Sequence, residues 1–269
     1  MSAAGYGILL LDDPKADIPR LCSHYVYCTL NAVAGRPLFA ERFTKQLITS
    51  YTALYGETPA IVAADFIRET AQLFAGANNS GNGTADVFLC PPRTSSERPL
   101  LVLARAGHVF DPGYSLSGLR ARGVIANYDI PFRTHLTAVS RAAARYCDDY
   151  ALRRGAHTAV RADRSGNLVS CGDHPLAAAR GRRIIVPPDE SGRPGAEREI
   201  LLELCRISGA AVSEEPLPVE SLDSVDELLV MRPEGLLSVL ECSGRWFYNT
   251  AAQMLEKYLP ELTDRGLTE

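Results

Sequence analysis

The sequence lacks the features that mark several classes of protein. No apolar run approaches the roughly 18 residues that a membrane span needs, and the short run GILLL near the start has no basic segment before it. We therefore expect a first strand there and not a signal peptide. The formal net charge of -4 also lacks the basic excess of a nucleic-acid-binding surface. These absences predict a cytoplasmic protein that binds neither membranes nor nucleic acid.

Cysteine is present but is not arranged for metal binding. The sequence contains no C-x-x-C pair, and the number of cysteines is odd. The seven are Cys22, Cys28, Cys90, Cys147, Cys171, Cys205 and Cys242. Such scattering is typical of reduced cytosolic thiols, not of a disulfide scaffold or a zinc site. Histidines His24, His108 and His157 also lack Cys, Asp or Glu at ligand spacing, so we expect no metal site.

Lysine is scarce. Only three of the 28 lysine and arginine residues are lysines, namely Lys15, Lys45 and Lys257. A reaction that needs a primary amine on a side chain, such as imine formation, therefore has only these candidates. Arginine is no substitute, because its guanidinium group stays protonated and is not nucleophilic.

The pattern of apolar residues predicts a mixed α+β fold. Helical spacing is seen in four stretches and in a long helical pattern ending at Gly155. The four stretches are 40–56, 60–74, 196–208 and 249–259. Short strands are predicted around Tyr25, in the pair DVFLC and PLLVLARA, and in the pair AHTAVRAD and LVS. Strands and helices do not alternate regularly, which favours α+β over a doubly wound sheet.

Several short motifs occur in an order that resembles one known family. Val26-Tyr27-Cys28-Thr29 stands where that family has a Val-Phe-Glu-Thr strand, and 35–39 matches its turn before the first helix. Gly195-Ala196-Glu197-Arg198 looks like its Gly-Ile-Thr-Arg loop, and 239–245 resembles its Pro-Val-x-x-Ile-Asp-Gly-Arg tail. The family is that of the class IV aminotransferases, which includes branched-chain and D-amino-acid aminotransferases and aminodeoxychorismate lyase.

The resemblance implies a fold, a cofactor and an assembly. The expected fold has two domains with a cleft between them: an N-terminal α/β domain over 1–115, a linker over 116–130 and a C-terminal α+β pseudo-barrel domain over 131–269. Family members hold pyridoxal phosphate (PLP) as an imine on a lysine, and they usually form homodimers. We expect a homodimer here for that reason alone.

The positions that hold the cofactor in the family differ in this chain. The imine lysine aligns with Pro131, or with Arg133 if the alignment shifts by two residues. The glutamate that holds the pyridine nitrogen becomes Cys171. Two residues that bind the phosphate are also replaced: the family's arginine aligns with Gln46, and its threonine aligns with Glu197. A second phosphate-binding Ser/Thr cluster aligns with 231–233. An asparagine of the family aligns with Leu176. We therefore expect no cofactor.

The replaced positions and polar or aromatic residues near them supply our candidate site residues. The predicted catalytic residues are Cys171, His135, Glu197 and His174; the predicted substrate-binding residues are Arg133, Arg232, Tyr27, Tyr128 and Gln46. Each also has a structural alternative. Cys171 could be a small buried side chain, Glu197 a carboxylate favoured by a helix N-terminus, and the aromatic residues part of the core.

Three functional hypotheses follow. The favoured one is a PLP-independent enzyme on this scaffold, performing acid–base chemistry such as a lyase, isomerase, cyclisation or condensation step in secondary-metabolite biosynthesis. Its substrate would be a small acidic or carbonyl compound. The second is a non-catalytic binding or partner protein. The third is an orthodox PLP-dependent aminotransferase or lyase.

Overall fold

The computed structural model describes most of the chain, and the chain folds into two compact units. Described are residues 6–11, 24–75, 82–92, 94, 97–109, 116–127, 142–188 and 195–269, with the side chains of 106–109 and 142–145 excepted. Unit 1 contains the described residues up to 109 together with 263–269. Unit 2 contains the described residues from 116 to 262.

Unit 1 is built on a five-stranded sheet of order β1-β5-β4-β2-β3 among its described residues. Its strands are β1 (Gly7–Leu11), β2 (Val26–Val33), β3 (Arg36–Pro37), β4 (Gly83–Cys90) and β5 (Leu100–Val109). Its helices are α1 (Ala40–Tyr55) and α2 (Ala63–Ala75). Strand β1 runs parallel to β5, and the other pairs are antiparallel. Helix α1 packs on β2 and α2 packs on β3 and β5.

Helix α1 confirms the prediction for 40–56 and shows why the sequence is helical there. Phe43, Leu47 and Tyr51 are buried four residues apart, so they form one stripe against the sheet. The helix ends where Gly56 adopts a left-handed conformation with φ of 76°. Its amide donates a hydrogen bond to Thr52 O, as in a glycine-terminated helix.

Unit 2 contains a nine-stranded sheet, again among its described residues. Its strands are β6 (Ser117–Asn127), β7 (Thr158–Ala162), β8 (Leu168–Cys171), β9 (His174–Arg180), β10 (Arg183–Val186), β11 (Ala211–Glu214), β12 (Glu227–Arg232), β13 (Gly235–Cys242) and β14 (Arg245–Trp246). Its helices are α3 (Ala142–Arg153), α4 (Ala196–Ser208), α5 (Thr250–Glu256) and the first four residues of α6 (Leu259–Thr268), whose remainder belongs to unit 1.

Six of these strands close into a ring. Their order is β9-β12-β13-β6-β7-β8, and β8 pairs back onto β9. Alternate side chains from the ring, among them Val160, Leu176, Val230 and Val239, form one buried cluster. Helix α3 packs on β6 and β7, and α4 packs on β9 and β12. Two compact units of mixed helices and strands agree with the two-domain α+β fold class that we expected.

Two strands differ from the expectations. Residues 117–127, inside the expected linker 116–130, form β6, which lies between β13 and β7 in the ring. Strand β9 was not predicted, because its sequence HPLAAAR is rich in alanine, which has little preference for strands. Its central alanines are buried between β8, β10 and β12, so tertiary packing and not local propensity decides its structure.

The cysteines need one correction. Cys28, Cys147, Cys171, Cys205 and Cys242 form no disulfide and are buried, as expected for small apolar residues. Cys90, however, is disulfide-bonded. The expectation that every thiol is reduced is therefore wrong for Cys90, since spacing along a sequence does not reveal which cysteines meet in space.

Gly235 allows a close approach between β13 and β6. Its φ is 141°, and a Cβ atom there would lie 2.0 Å from the carbonyl oxygen of Ser117. We expect Gly235→Ala to lower the free energy of unfolding in urea by roughly 3 kcal/mol or more, because the backbone must move. Gly244→Ala is the control. Gly244 has a φ of 86°, and an added Cβ atom would have no other atom within 4 Å. This substitution should lower the free energy of unfolding by only about 1 kcal/mol. Equal losses would contradict this account.

Candidate active site

The candidate site of unit 2 is built on the hairpin between β8 and β9. Its turn is Gly172-Asp173, and Gly172 adopts a positive φ of 57° that a glycine tolerates without strain. Ser170 Oγ donates to Gly172 O at 3.0 Å, and Arg161 Nε donates to Ser170 Oγ at 3.0 Å. Across the turn, Cys171 pairs directly with His174. The hairpin thus holds His174 at a fixed position at the start of β9.

His174 is hydrogen-bonded to Glu197. The distance between His174 Nδ1 and Glu197 Oε2 is 2.8 Å, and the side chains are 23% and 16% exposed. Glu197 lies in the first turn of α4, where the helix dipole favours a carboxylate. Because a carboxylate can only accept, the bond orients the imidazole with Nδ1 as the donor and leaves Nε2 to exchange protons. Two predicted residues, 23 positions apart, therefore form one unit.

Arg232 belongs to the same group of residues. Strand β12 pairs with β9 as far as Val230 and Leu176, and Arg232 and His174 each lie two residues beyond this last pair. Arg232 also acts electrostatically on the Cys171 thiol. Its Nε lies 3.5 Å from Glu234 Oε2, which makes an ion pair without a hydrogen bond. The arginine side chain is 35% exposed, so solvent reaches it.

Cys171 has the character of a structural residue. It is 1% exposed within the core cluster of the ring, and its Sγ lies 2.9 Å from Thr158 Oγ1. Burial raises the pKa of the thiol to about 11, although the Thr158 hydrogen bond and Arg232 act in the opposite direction. The thiolate is the nucleophilic form of cysteine. At neutral pH this thiol is neutral, which favours the structural alternative for Cys171 over the catalytic one.

The other predicted residues lie elsewhere. Tyr27 and Gln46 belong to unit 1, where Tyr27 is buried with its ring 6.5 Å from that of Phe88. Arg133, His135 and Tyr128 lie outside the described residues, as does Lys15. Lys45 on α1 and Lys257 after α5 are both exposed. The structure therefore brings together Cys171, His174, Glu197 and Arg232 from the predicted set.

Two residues near the site were missed by the sequence analysis. Thr158 contacts Cys171, but nothing in a strand sequence marks a threonine as the partner of a particular thiol. Glu234 pairs with Arg232 across the short connection between β12 and β13. The signal for Glu234 was present, since Arg-Pro-Glu-Gly has the composition of a tight turn that returns the chain beside Arg232.

Two further features of the described residues bear on function. Within them, no group of three or more His, Cys, Asp or Glu side chains is placed to hold a metal ion. None of the helices found there is long and apolar enough to cross a membrane.

Comparison with known proteins decides the family. A family model described as amino-transferase class IV matches residues 26–232, which include the site hairpin, the start of α4 and Arg232. The chain belongs to the class IV aminotransferase family. No curated protein sequence matches the chain.

Solved structures of class IV proteins share the fold at low sequence identity. A Legionella pneumophila protein inferred to be a 4-amino-4-deoxychorismate lyase is 18% identical with a TM-score of 0.75, over 95% of this chain and 99% of that one. A hypothetical aminotransferase of Mycobacterium tuberculosis in its PLP-bound form is 14% identical with a TM-score of 0.76, over 93% of each chain. The Escherichia coli branched-chain amino acid aminotransferase is 14% identical with a TM-score of 0.74, over 90% and 87%.

The buried Cys171 thiol predicts a pH dependence of stability. A thiol ionises near pH 9.0 in the unfolded chain but near 11 in the folded protein, so raising the pH between these values favours the unfolded state. Near pH 10 the free energy of unfolding should fall with pH in both the wild type and Cys171→Ala. We expect the slope to be smaller in Cys171→Ala, with a difference between the two slopes of about 1.4 kcal/mol per pH unit. Urea titrations at several pH values measure this. Identical slopes would show that the thiol is not buried as described.

Proposed function

We propose that this protein is a class IV enzyme that works without a PLP imine, by acid–base catalysis on a small carbonyl or carboxylate compound. The reaction would be a lyase, isomerase, cyclisation or condensation step. The observation that carries the proposal is the 2.8 Å hydrogen bond between His174 and Glu197, in a position that solvent can reach. Lyase, isomerase and condensation chemistry share one requirement, a group that moves a proton next to a carbonyl.

The lysines support the absence of an imine. An imine lysine must hold its amine in a pocket against the cofactor, often with a lowered pKa. Lys45 on α1 and Lys257 just after α5 are exposed instead, and the third lysine, Lys15, lies outside the described residues. Among the described residues of the site, the basic groups are a histidine and an arginine, neither of which forms an imine with an aldehyde.

The charges of the site also fit a phosphate poorly. A helix N-terminus ordinarily binds an anion through its free amides. At the start of α4 this place has the carboxylate of Glu197, which is tied to His174. A second carboxylate, Glu234, lies beside Arg232. A phosphate at either place would meet a carboxylate, so the donor set does not fit PLP, and we assign no step to that cofactor.

The same charges suit proton transfer. Glu197 fixes the orientation of the His174 ring through Nδ1, which is part of what an acidic residue does beside a catalytic histidine. His174 can then take a proton through Nε2 and return it at another atom of the substrate. Arg232, on the neighbouring strand, offers guanidinium donors that match a carboxylate or an enolate oxygen. The proposed roles are thus base and acid for His174, orientation for Glu197 and substrate binding for Arg232.

Proton exchange tests this proposal without knowledge of the natural substrate. Pyruvate is incubated with protein in deuterium oxide, with no PLP added, and loss of its methyl proton signal is followed by NMR. We expect the wild type to accelerate exchange over buffer. His174→Gln should lower the rate 10²- to 10⁴-fold, the usual contribution of a general base. Glu197→Gln should lower it less, because the amide oxygen can still accept from His174 Nδ1 and hold the ring but lacks the negative charge.

Two matched variants control for folding and surface charge. His24→Gln changes an exposed histidine of unit 1, and Glu199→Gln changes an exposed carboxylate in the same first turn of α4. Both should exchange at the wild-type rate. If the wild type gives only the buffer rate, the non-catalytic hypothesis gains and this proposal fails. If His174→Gln has no effect, the acid–base role of the pair is wrong.

A further inference from the structure

A buried arginine lies beside the turn that carries His174. Arg161 on β7 is 2% exposed, and the register places it opposite Ser170 on β8. Its Nε donates to Ser170 Oγ at 3.0 Å, and Ser170 Oγ donates to Gly172 O at 3.0 Å. Arginine is almost never fully buried unless it is paired, so defined contacts must offset the cost of burying this one. We call Arg161, Ser170 and Gly172 the hairpin brace.

The arginine fixes the direction of both bonds in the hairpin brace. A guanidinium group can only donate, so the Ser170 hydroxyl must accept from it. The hydroxyl proton is then left to point at the carbonyl oxygen of Gly172. Ser170 is fully buried, so bulk water does not compete for either bond. Arg161 therefore makes Ser170 a donor to the turn.

The backbone by itself holds the start of β9 weakly. Among the described residues, β8 and β9 share two register pairs, Ser170–Pro175 and Cys171–His174, and proline has no amide proton to donate. On the other side of β9, the pairing with β12 stops at Leu176. His174 thus lies at the last pair of one ladder and beyond the end of the other. The position of its ring therefore depends on the turn that precedes it.

Strand β7 holds this turn through both peptide groups of Gly172. The Gly172 amide donates to Ala159 O on β7 at 3.0 Å. The Gly172 carbonyl oxygen accepts from Ser170, which is held by Arg161 of the same strand. Two connections to one strand fix both the place and the tilt of the turn. Without the hairpin brace, only the bond to Ala159 remains of the two, and the turn can tilt about it.

Charge also connects Arg161 with this turn. Burial raises the pKa of the Cys147 thiol on α3 to about 11; Arg161 acts to lower this pKa, and Asp173 of the turn acts to raise it. Both charged groups therefore lie near the same thiol. Because their charges are opposite, the arginine offsets the carboxylate of Asp173, the residue that directly precedes His174.

We propose that Arg161 is a positioning residue for His174, acting through Ser170 and Gly172. The 2.8 Å bond from His174 Nδ1 to Glu197 needs the ring at one place and in one orientation, and the hairpin brace fixes the backbone from which the ring projects. A misplacement of about 1 Å can lower a catalysed rate about 10²-fold. The effect on catalysis rests on the function proposed for His174, whereas the effect on the ring does not.

The state of the His174 ring tests the positional effect without any activity. Two-bond proton–nitrogen NMR spectra of protein labelled with ¹⁵N-histidine show which ring nitrogen carries the proton, and His174→Gln identifies the signal. With the ring neutral, the wild type should hold the proton on Nδ1. Ser170→Ala removes one oxygen atom and both brace bonds, so the two nitrogen shifts should move toward the averaged values of free histidine. Arg161→Ala should do the same, and Arg161→Lys, which can still donate to Ser170, should stay nearer the wild type.

The pyruvate exchange reaction tests the effect on catalysis. Ser170→Ala and Arg161→Ala should lower the maximal exchange rate roughly 10- to 100-fold. The pyruvate concentration that gives half of this rate should not change, because Arg232 lies on β12, outside the hairpin brace. Arg180→Ala is the matched control, since Arg180 also donates to a serine, Ser224, but lies at the other end of β9. It should match the wild type in ring shifts and in exchange.

The outcomes separate this inference from the proposed function. Unchanged His174 ring shifts in Ser170→Ala would overturn the inference whatever the exchange rates, and this variant decides even if Arg161→Ala does not fold. Equal changes in Arg180→Ala would overturn it too. Altered shifts with an unchanged exchange rate would leave Arg161 a structural residue only. If the wild type does not catalyse exchange, the proposed function fails, and the ring shifts alone decide whether Arg161 positions His174.

Discussion

The closed ring of strands in unit 2 is the constraint on which the candidate site depends. Strand β9 lies in this ring with β8 on one side and β12 on the other. The first neighbour pairs His174 with Cys171, and the second carries Arg232 toward the same end. Helix α4 packs on β9 and β12 and brings its first turn to His174. A shift of one residue in either register would turn His174 to the opposite face of the sheet and away from Glu197.

Electrostatics then decides what this geometry can do. A helix N-terminus and an arginine would ordinarily form a place for an anionic group. In this chain Glu197 brings a negative charge to the N-terminus of α4, and Glu234 brings one to Arg232. The result is a histidine held by a carboxylate beside a solvent-accessible arginine, in a chain with only three lysines. These properties are the basis of our proposal that the site transfers protons and does not hold a phosphorylated aldehyde.

The sequence predicted some parts of this structure well and others not at all. Helix α1 was readable because Phe43, Leu47 and Tyr51 recur at helical spacing, and α4 was predicted over the same residues that form it. Strand β9 was not, since alanines become a strand only through pairing on both sides. The residue types of the site followed from the resemblance, but sequence could not show that His174 reaches Glu197 or that Cys171 points into the core. Those facts depend on register and on packing over 23 and more positions.

The central claim is that this class IV chain works without an imine to PLP. The most direct measurement is to incubate the purified protein with excess PLP, reduce it with borohydride and map any adduct by peptide mass spectrometry. The account predicts no visible absorbance band and no stoichiometric adduct, with at most trace labelling of the exposed Lys45 and Lys257. A single lysine carrying one reduced PLP per chain, with a visible band before reduction, would contradict it and return the protein to orthodox aminotransferase or lyase chemistry.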